Sequence, residues 1–111
     1  MVELVKEAEF QQTIIDLAHL KGWRIAHFRS VRQQRADGRV FYSTPVQGDG
    51  AGFPDLLMLR DERMVAAEIK VGSNKTSDVQ DEWLDAFRNA GAEVYVWYPK
   101  DWDEACRVLG R

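Results

Sequence analysis

Cysteine is almost absent from this chain of 111 residues, and its scarcity excludes two kinds of site. A single residue, Cys106, leaves no intramolecular disulfide and no cysteine-rich zinc site, and its apolar neighbours indicate a packing role. Long apolar runs are also missing: none approaches the roughly 20 residues needed to cross a bilayer, and the first residues form no secretory signal. We therefore expect a cytoplasmic protein.

Basic charge is in short supply, since 15 Lys and Arg residues face 18 Asp and Glu residues and the formal net charge is -3. That total argues weakly against DNA binding, but affinity for phosphates depends on local contacts more than on the sum. The segment from Lys21 to Arg39 is basic with a single acid, whereas the segment from Asp78 to Glu104 is acidic. We expect one face for DNA, although an arginine-rich segment can equally be a solvated loop. The residues predicted to contact phosphates are Arg29, Arg32, Arg35 and Arg39.

The segment from 29 to 52 changes composition to Arg, Gln, Gly and Asp, with only a short apolar piece inside it. A stretch of this length in a small domain is usually functional or partly disordered. We expect a DNA-facing loop, in which Gly48, Gly50 and Gly52 let the backbone swing or approach phosphate closely. No Gly-Lys-Ser/Thr follows these glycines, so a nucleotide-triphosphate loop is not predicted.

The length allows one domain with one hydrophobic core, and the periodicity of the apolar residues places secondary structure around it. The predicted order is a helix over 3–20, a strand over 23–28, the loop, strands over 55–59 and 64–70, a helix over 78–90, a strand over 94–98 and a last helix capped by Asp101. A helix between the last two strands favours a parallel pair with a right-handed crossover. This order predicts a three-layer α/β domain, a mixed sheet flanked by helices.

Three charged residues are expected to meet at the open end of a hairpin. The polar tetrapeptide 60–63 separates two apolar runs, so a turn there places Asp55 near Glu68 and Lys70. Alternation puts Glu68 and Lys70 on one face of the strand while Ile69 points into the core. Two carboxylates beside a phosphodiester suit Mg²⁺, and Lys70 would stabilise developing negative charge. Charged residues at strand ends are commonly just solvated, so the tripeptide alone carries little weight.

Two helices offer further polar residues to this site. On the first helix, Glu7 falls on the stripe of Phe10 and Ile14, whereas Glu9 lies on the polar face. Because an acid on a buried face is costly unless it binds something, Glu7 is the better candidate, with a frayed or dipole-stabilised helix start as the alternative. Gln80 lies in the first turn of the second helix, where its amide could hold a site water, contact the DNA backbone or remain exposed.

Four motifs along the chain form one set. They are Gly52-Phe53-Pro54-Asp55-Leu56, then Glu68-Ile69-Lys70, then Ser77 with Gln80 and Trp83, and last the run from Gly91 to Trp97. Together they resemble the VRR-NUC (virus-type replication-repair nuclease) branch of the PD-(D/E)XK nuclease superfamily. The resemblance covers nearly the whole chain, including the first helix from Glu7 to Gly22.

The resemblance implies a restriction-endonuclease-like core and a Mg²⁺- or Mn²⁺-dependent DNA endonuclease. Stand-alone members from phages and bacteria look like structure-selective or junction-resolving enzymes of replication, recombination or repair, which implies a bacterial or phage-infected cell. Carried over residue by residue, the resemblance assigns metal ligands, an active-site lysine, a supporting residue and a helix-borne acid. These are Asp55, Glu68 and the carbonyl of Ile69 for the metal, then Lys70, Gln80 and Glu7 in that order.

A symmetric branched substrate such as a four-way junction needs two cutting sites, so mechanism and family both predict a two-fold homodimer. Two other functions stay open from the sequence. One is a nucleic-acid-binding module that keeps the fold without cutting, and the other is an interaction domain whose carboxylates are structural. The complete set of two acids and a lysine argues against the inactive module, because loss of catalysis would relax those identities.

Overall fold

Ten secondary-structure elements make up the part of the chain that the computed structural model describes, residues 2–28, 31–43 and 46–111. In chain order they are α1 (Val2–Leu20), β1 (Arg24–His27), β2 (Val31–Gln34), β3 (Val40–Ser43), β4 (Leu56–Arg60), β5 (Arg63–Ile69), α2 (Asp78–Asn89), β6 (Glu93–Trp97), a 3₁₀ turn (Pro99–Asp101) and α3 (Trp102–Gly110). The description of side chains starts at Lys6 and leaves out 31–33 and 42–43. None of these helices combines the length and the apolar character needed to span a membrane.

A four-stranded mixed sheet in the order β1-β4-β5-β6 forms the centre of the domain. β4 pairs antiparallel with both β1 and β5, with Leu56 opposite Ala67 in the second pair. β5 pairs parallel with β6, Glu68 lying beside Val96, and α2 makes the crossover between these two strands. Every residue of β5 from Val65 to Ile69 is buried, because this central strand is covered on both faces, and its sequence accordingly reads as a nearly continuous apolar run.

Helices cover both faces of the sheet. On one face, Val65 and Ile69 of β5 pack in the main core against apolar residues of α1 and α3. The helical members of this core are Ile14, Ile15, Leu17 and Ala18 from α1 and Ala105, Val108 and Leu109 from α3. Alternation directs Ala66 and Glu68 to the other face, where α2 contributes the buried Leu84. The predicted three-layer α/β fold with a mixed sheet is therefore correct.

An aromatic cluster fastens the segment before β4 to α2. The Phe53 ring makes edge contacts with Trp83 at 5.0 Å and with Phe87 at 5.6 Å between ring centroids, and a third with Phe28 at 5.0 Å. The Trp83 indole N–H also donates to the carbonyl of Asp49 at 3.0 Å. Edge-to-face contacts of this kind add about 0.5–1.5 kcal/mol each beyond buried area, so α2 fixes the chain just ahead of Asp55.

The segment from 29 to 52, predicted to be a loop, contains a second sheet of two strands. β2 and β3 pair antiparallel, with Val31 opposite Ser43 and Gln34 opposite Val40. Their turn closes with Arg35 N donating to Arg39 O at 2.8 Å. The loop prediction was wrong here because β2 consists mainly of Arg and Gln, and backbone hydrogen bonds hold such a ribbon without the apolar alternation that marks most strands.

Glycines at the end of this segment serve close packing within the protein. A Cβ on Gly50 would overlap the carbonyl group of Val46. Gly52, at φ +83°, lies so near the start of α2 that a Cβ there would be 2.7 Å from the Val79 carbonyl carbon and 2.8 Å from Gln80 N. Both glycines are thus required where the backbone meets other protein backbone, which differs from the predicted approach to phosphate.

The boundaries of α2 follow from local hydrogen bonds, and α3 begins directly after Asp101, as predicted, but without the predicted side-chain cap. Ser77 caps α2, its hydroxyl accepting from Gln80 N at 3.3 Å, and Gly91 at φ +97° follows the last turn. Asp101 does not cap α3 with its side chain. Its carboxylate instead accepts from Tyr98 N at 2.9 Å, the amide that directly precedes the 3₁₀ turn beginning at Pro99.

The turn end of the β4–β5 hairpin is locked to the end of α3. Arg60 donates to the carbonyl of Leu109 at 2.9 Å, and Arg63 donates to that of Val108 at 3.0 Å. Both guanidinium groups lie over the Trp23 ring, at 4.5 and 4.8 Å from its centroid. The Trp23 indole N–H also donates to Leu109 O at 2.8 Å. We call this group, Trp23 with Arg60 and Arg63, the arginine clamp; it satisfies carbonyls that a helix end otherwise leaves without partners.

Candidate active site

The opposite end of the same hairpin gathers the predicted charged residues. Asp55 comes directly before β4 and Lys70 directly after β5, so antiparallel pairing brings them to one edge of the sheet. One carboxylate oxygen of Asp55 accepts from Ile69 N at 2.8 Å. The Asp55 carbonyl accepts from Phe28 N, and Lys70 N donates to Trp97 O, both at 3.0 Å. Neighbouring strands therefore hold the backbone on either side of the site.

Glu68 is the most unusual residue of this edge, because it is only 1% exposed. Its Oε2 atom is buried and has no hydrogen-bond partner in the part of the chain that the structure describes. Burial raises the pKa of Glu68 well above the ordinary range, a hydrogen-bonding contact with the Asp55 carboxyl and the Asp55 charge raise it further, and the Lys70 charge opposes them. An acid with an unpaired oxygen in this environment destabilises the fold unless something binds it, which is a mark of a functional position.

Glu7 joins this group from α1. It is half-buried, and burial raises its pKa, with a further rise from the Asp55 charge and a lowering by Lys70. Glu9 is exposed, and the backbone carbonyl of Glu9 accepts from the Thr13 hydroxyl at 2.9 Å, so it belongs to the polar face of the helix. The sequence-based choice of Glu7 over Glu9 matches this placement. We call Glu7, Asp55 and Glu68 the acid cluster.

The donor chemistry of the acid cluster fits a divalent cation held by few protein ligands. Among residues 2–28, 31–43 and 46–111, no three or more His, Cys, Asp or Glu side chains are arranged to hold a metal ion, so Glu7 does not join Asp55 and Glu68 as a third close ligand. Mg²⁺ is commonly bound by one or two carboxylates and completes its coordination with water and substrate phosphate. The unpartnered oxygen of Glu68, beside the Asp55 carboxyl, is the atom that such an ion would satisfy.

Gln80 helps to cap α2, a structural role that was not predicted from the sequence. Its amide oxygen accepts from Ser77 N at 2.9 Å, while its own backbone N–H donates to the Ser77 hydroxyl. This reciprocal pair is a capping box, which stabilises the first turn of α2. The amide oxygen is thereby occupied, so the predicted supporting role of Gln80 would use its amide nitrogen.

The structure describes only two of the four arginine side chains that were predicted to bind phosphate. Arg29 lies outside the described residues, and so does the side chain of Arg32. The Arg35 guanidinium lies 5.0 Å from the centroid of the Phe41 ring, and Arg39 pairs with Asp37 at 3.0 Å near the turn of the β2–β3 ribbon. Both side chains are on the ribbon, and no described contact joins either of them to the acid cluster.

One buried polar side chain was not among the residues predicted from the sequence. Gln11 lies one helical turn after Glu7, and its buried Nε2 atom has no hydrogen-bond partner among the described residues. It lines a cavity of about 300 Å³ with His27 of β1. The spacing of four residues from Glu7 is the signal that would have found it, since side chains at that interval share a helix face. Gln11 therefore places an amide donor in a cavity between α1 and β1.

Comparison with known proteins gives one match. A protein family model described as the VRR-NUC domain matches residues 5–101. The match includes every residue that the sequence assigned to the site, from Glu7 to Gln80, and omits only the first four residues and the end of the chain from α3 onward. No curated protein and no solved structure matches the chain.

Proposed function

Since the chain belongs to the VRR-NUC family of nuclease domains, we propose that it is a divalent-metal-dependent endodeoxyribonuclease that hydrolyses phosphodiester bonds. One observation supports this more than any other. Glu68 is buried beside Asp55 with an oxygen that no group of residues 2–28, 31–43 and 46–111 satisfies, at the strand ends where Lys70 also lies. A purely structural role would favour an apolar or neutral side chain at this position, because a buried charge without a partner is costly.

Each residue of the site has a distinct part in this proposal. The carboxylates of Asp55 and Glu68 and the carbonyl of Ile69 would hold Mg²⁺ or Mn²⁺. Such an ion polarises a phosphoryl oxygen and lowers the pKa of bound water. Lys70 places its positive charge where negative charge develops on the phosphate, and Glu7 is placed to hold a proton or a water at the rim of the site.

We infer that the substrate is recognised by its shape more than by its base sequence. Arginine contacts to phosphate position a protein on DNA without reading bases, and the arginines of the β2–β3 ribbon are of this kind. Branched DNA, including four-way junctions, is the substrate class that the family suggests. Paired cuts on such a substrate require two active sites, for which a two-fold homodimer is the simplest arrangement.

Purified protein incubated with supercoiled plasmid, with Mg²⁺ or Mn²⁺ and with EDTA, tests the activity. We expect metal-dependent cutting that Asp55→Asn and Lys70→Ala each reduce by at least about 100-fold, since even changes to residues that only orient metal ligands typically cost about 10–100-fold. Asp61→Asn is the matched control. Asp61 is exposed at φ +54° in the turn of the same hairpin, a conformation that Asn also tolerates, and cutting should be unchanged.

Salt-sensitive binding of DNA without any cutting would leave a binding module and remove the nuclease assignment. Equal loss of cutting in Asp55→Asn and Asp61→Asn would show that the acid cluster is not the site. A panel of duplex, flap, single-strand and four-way substrates then tests structure selectivity. Sedimentation of the free and DNA-bound protein tests the homodimer, which a stable monomer in both conditions would exclude.

A further inference from the structure

A second charged feature lies at the same edge of the sheet as the acid cluster. Two segments, 72–75 after β5 and 98–100 after β6, line an open cleft of about 530 Å³. We call it the lysine cleft, after Lys75 and Lys100 in its walls. β5 and β6 are parallel, so both walls lie beyond the carboxyl ends of adjacent strands. In open α/β sheets this is the position at which ligands bind.

The walls of the lysine cleft are joined by one side chain. The Tyr98 hydroxyl donates to the carbonyl of Asn74 at 2.5 Å, and Asn74 N donates to the carbonyl of Val71 at 3.2 Å. The Lys100 ammonium lies 5.5 Å from the centroid of the Tyr98 ring. Tyr98 therefore connects the loop after β5 to the segment after β6 and also supports one of the two cations.

The two lysines are available to an external anion. Among the described side chains, neither Lys75 nor Lys100 has a carboxylate oxygen within 4.0 Å. Two of the acids near these lysines in sequence have other partners: Asp81 accepts from the Thr76 hydroxyl at 2.6 Å, and Asp101 accepts from Tyr98 N. The acidic composition of this half of the chain had indicated a solvent face, yet its cleft presents cations.

The lysine cleft begins two residues after Lys70, so an extended ligand at the acid cluster has a short route into it. The two residue steps from Lys70 to Gly72 span at most about 3.3–3.6 Å each. Their total length is comparable to the distance between consecutive phosphates of one strand. A lysine ammonium is a compact charge that binds phosphate oxygens without geometric selectivity. The ligand chemistry that matches two such charges in an open cleft is a phosphodiester backbone.

We propose that the lysine cleft binds the backbone of the DNA strand where it continues past the acid cluster, with Lys75 and Lys100 each contacting a phosphate. The placement of this strand rests on the proposed nuclease function. The binding itself does not need catalysis. The cleft would hold the substrate on the β6 side of the site.

Binding of a short fluorescent duplex, followed by anisotropy in EDTA over a series of salt concentrations, tests the proposal. The double variant Lys75→Gln, Lys100→Gln is compared with Arg88→Gln, Arg107→Gln, which removes the same charge from exposed positions in the last turns of α2 and α3. Loss of two phosphate contacts should make the slope of log K against log salt shallower by about 1.8 and weaken binding by about tenfold or more. The charge-matched control should keep the wild-type slope, and melting curves check that both variants are folded.

Equal slopes for the two double variants would overturn the proposal. Cutting by the wild type together with equal slopes would remove the lysine cleft and leave the nuclease intact. A shallower slope confined to the cleft variant, in a protein that does not cut, would support the cleft while removing the proposed function. In an active enzyme, the cleft variant should raise KM with little change in kcat, because the two lysines contribute binding remote from the reacting phosphate.

Discussion

Replacing Glu68 by Gln should stabilise the metal-free protein while abolishing its activity. Glu68 is 1% exposed, has one oxygen without a partner and lies beside a second carboxyl, that of Asp55. Glutamine has nearly the same shape but carries no charge, and its amide can donate a hydrogen bond to Asp55. The change therefore removes the cost of taking up a proton on folding, which the raised pKa of Glu68 imposes near neutral pH, without opening a cavity.

The gain in the free energy of unfolding can be estimated from the two features that the substitution corrects, the unpaired oxygen of Glu68 and the neighbouring carboxyl of Asp55. A buried polar group left unpaired costs about 1–3 kcal/mol, and more if it is charged. Lys70 offsets part of this cost, so we expect Glu68→Gln to add about 2 kcal/mol to the free energy of unfolding. For a domain of this length, that corresponds to a rise in Tm of about 8 °C.

Thermal melts in EDTA measure this gain, and two other glutamates provide controls. Glu62→Gln, in the exposed hairpin turn, should leave Tm unchanged. Glu93→Gln should lower it, because Glu93 forms a two-pronged pair with Arg63 at 2.7 and 2.9 Å. Adding Mg²⁺ should raise the Tm of the wild type by mass action and leave Glu68→Gln unaffected.

Two outcomes would refute this reasoning. A lower Tm for Glu68→Gln in EDTA would mean that the buried carboxylate is well compensated by groups near it. An equal rise in Tm on adding Mg²⁺ to both proteins would mean that the ion binds somewhere other than Asp55 and Glu68. Opposite signs for Glu68→Gln and Glu93→Gln are the specific expectation, since one acid lacks a partner and the other has one.

Two further predictions concern the backbone before the site and the far end of the sheet. Gly52→Ala should cost about 2–4 kcal/mol, because it combines the strain of a positive φ with overlap against the start of α2. Gly48→Ala, at φ +73° with no neighbour within 4 Å, should cost only about 1–2 kcal/mol, and urea unfolding distinguishes the two. The pair with Arg63 lowers the pKa of Glu93 to about 2. The pair therefore contributes about 2 kcal/mol to the free energy of unfolding above the unfolded pKa of 4.5, and this contribution is lost as pH falls from 4.5 toward 2. The drop in Tm over that interval should be smaller in Glu93→Gln, and identical acid profiles would exclude the pair as its source.

The sequence predicted the proximity of Asp55, Glu68 and Lys70 better than it predicted the structure around them. Alternation along β5 and a polar turn sufficed to place Asp55 near Glu68 and Lys70, because a short antiparallel hairpin leaves little freedom of register. The buried acid on α1 followed from helical periodicity in the same way. The catalytic roles of these residues remain predictions, since proximity shows only that they can act together.

Features that depend on long-range contacts could not be predicted in this way. Position 52 requires glycine because the backbone of α2, which is distant in the chain, lies against it. The lysine cleft needs the parallel pairing of β5 with β6 to bring its two segments together. The oxygen of Gln80 has a local partner, yet the same residue pattern fits both a capping box and a site amide, so the sequence alone could not choose between them.

The β4–β5 hairpin has opposite physical character at its two ends, and this difference connects stability with function. At the turn end, the arginine clamp pairs its donors with helix carbonyls and with Glu93, so the charges there are satisfied. At the open end, Glu68 keeps an unsatisfied oxygen inside the protein. A strained site persists only where the surrounding structure determines its geometry strongly. The clamp and the buried strand β5 supply that support at Glu68, and the proposed divalent ion would satisfy the oxygen that the fold leaves unpaired.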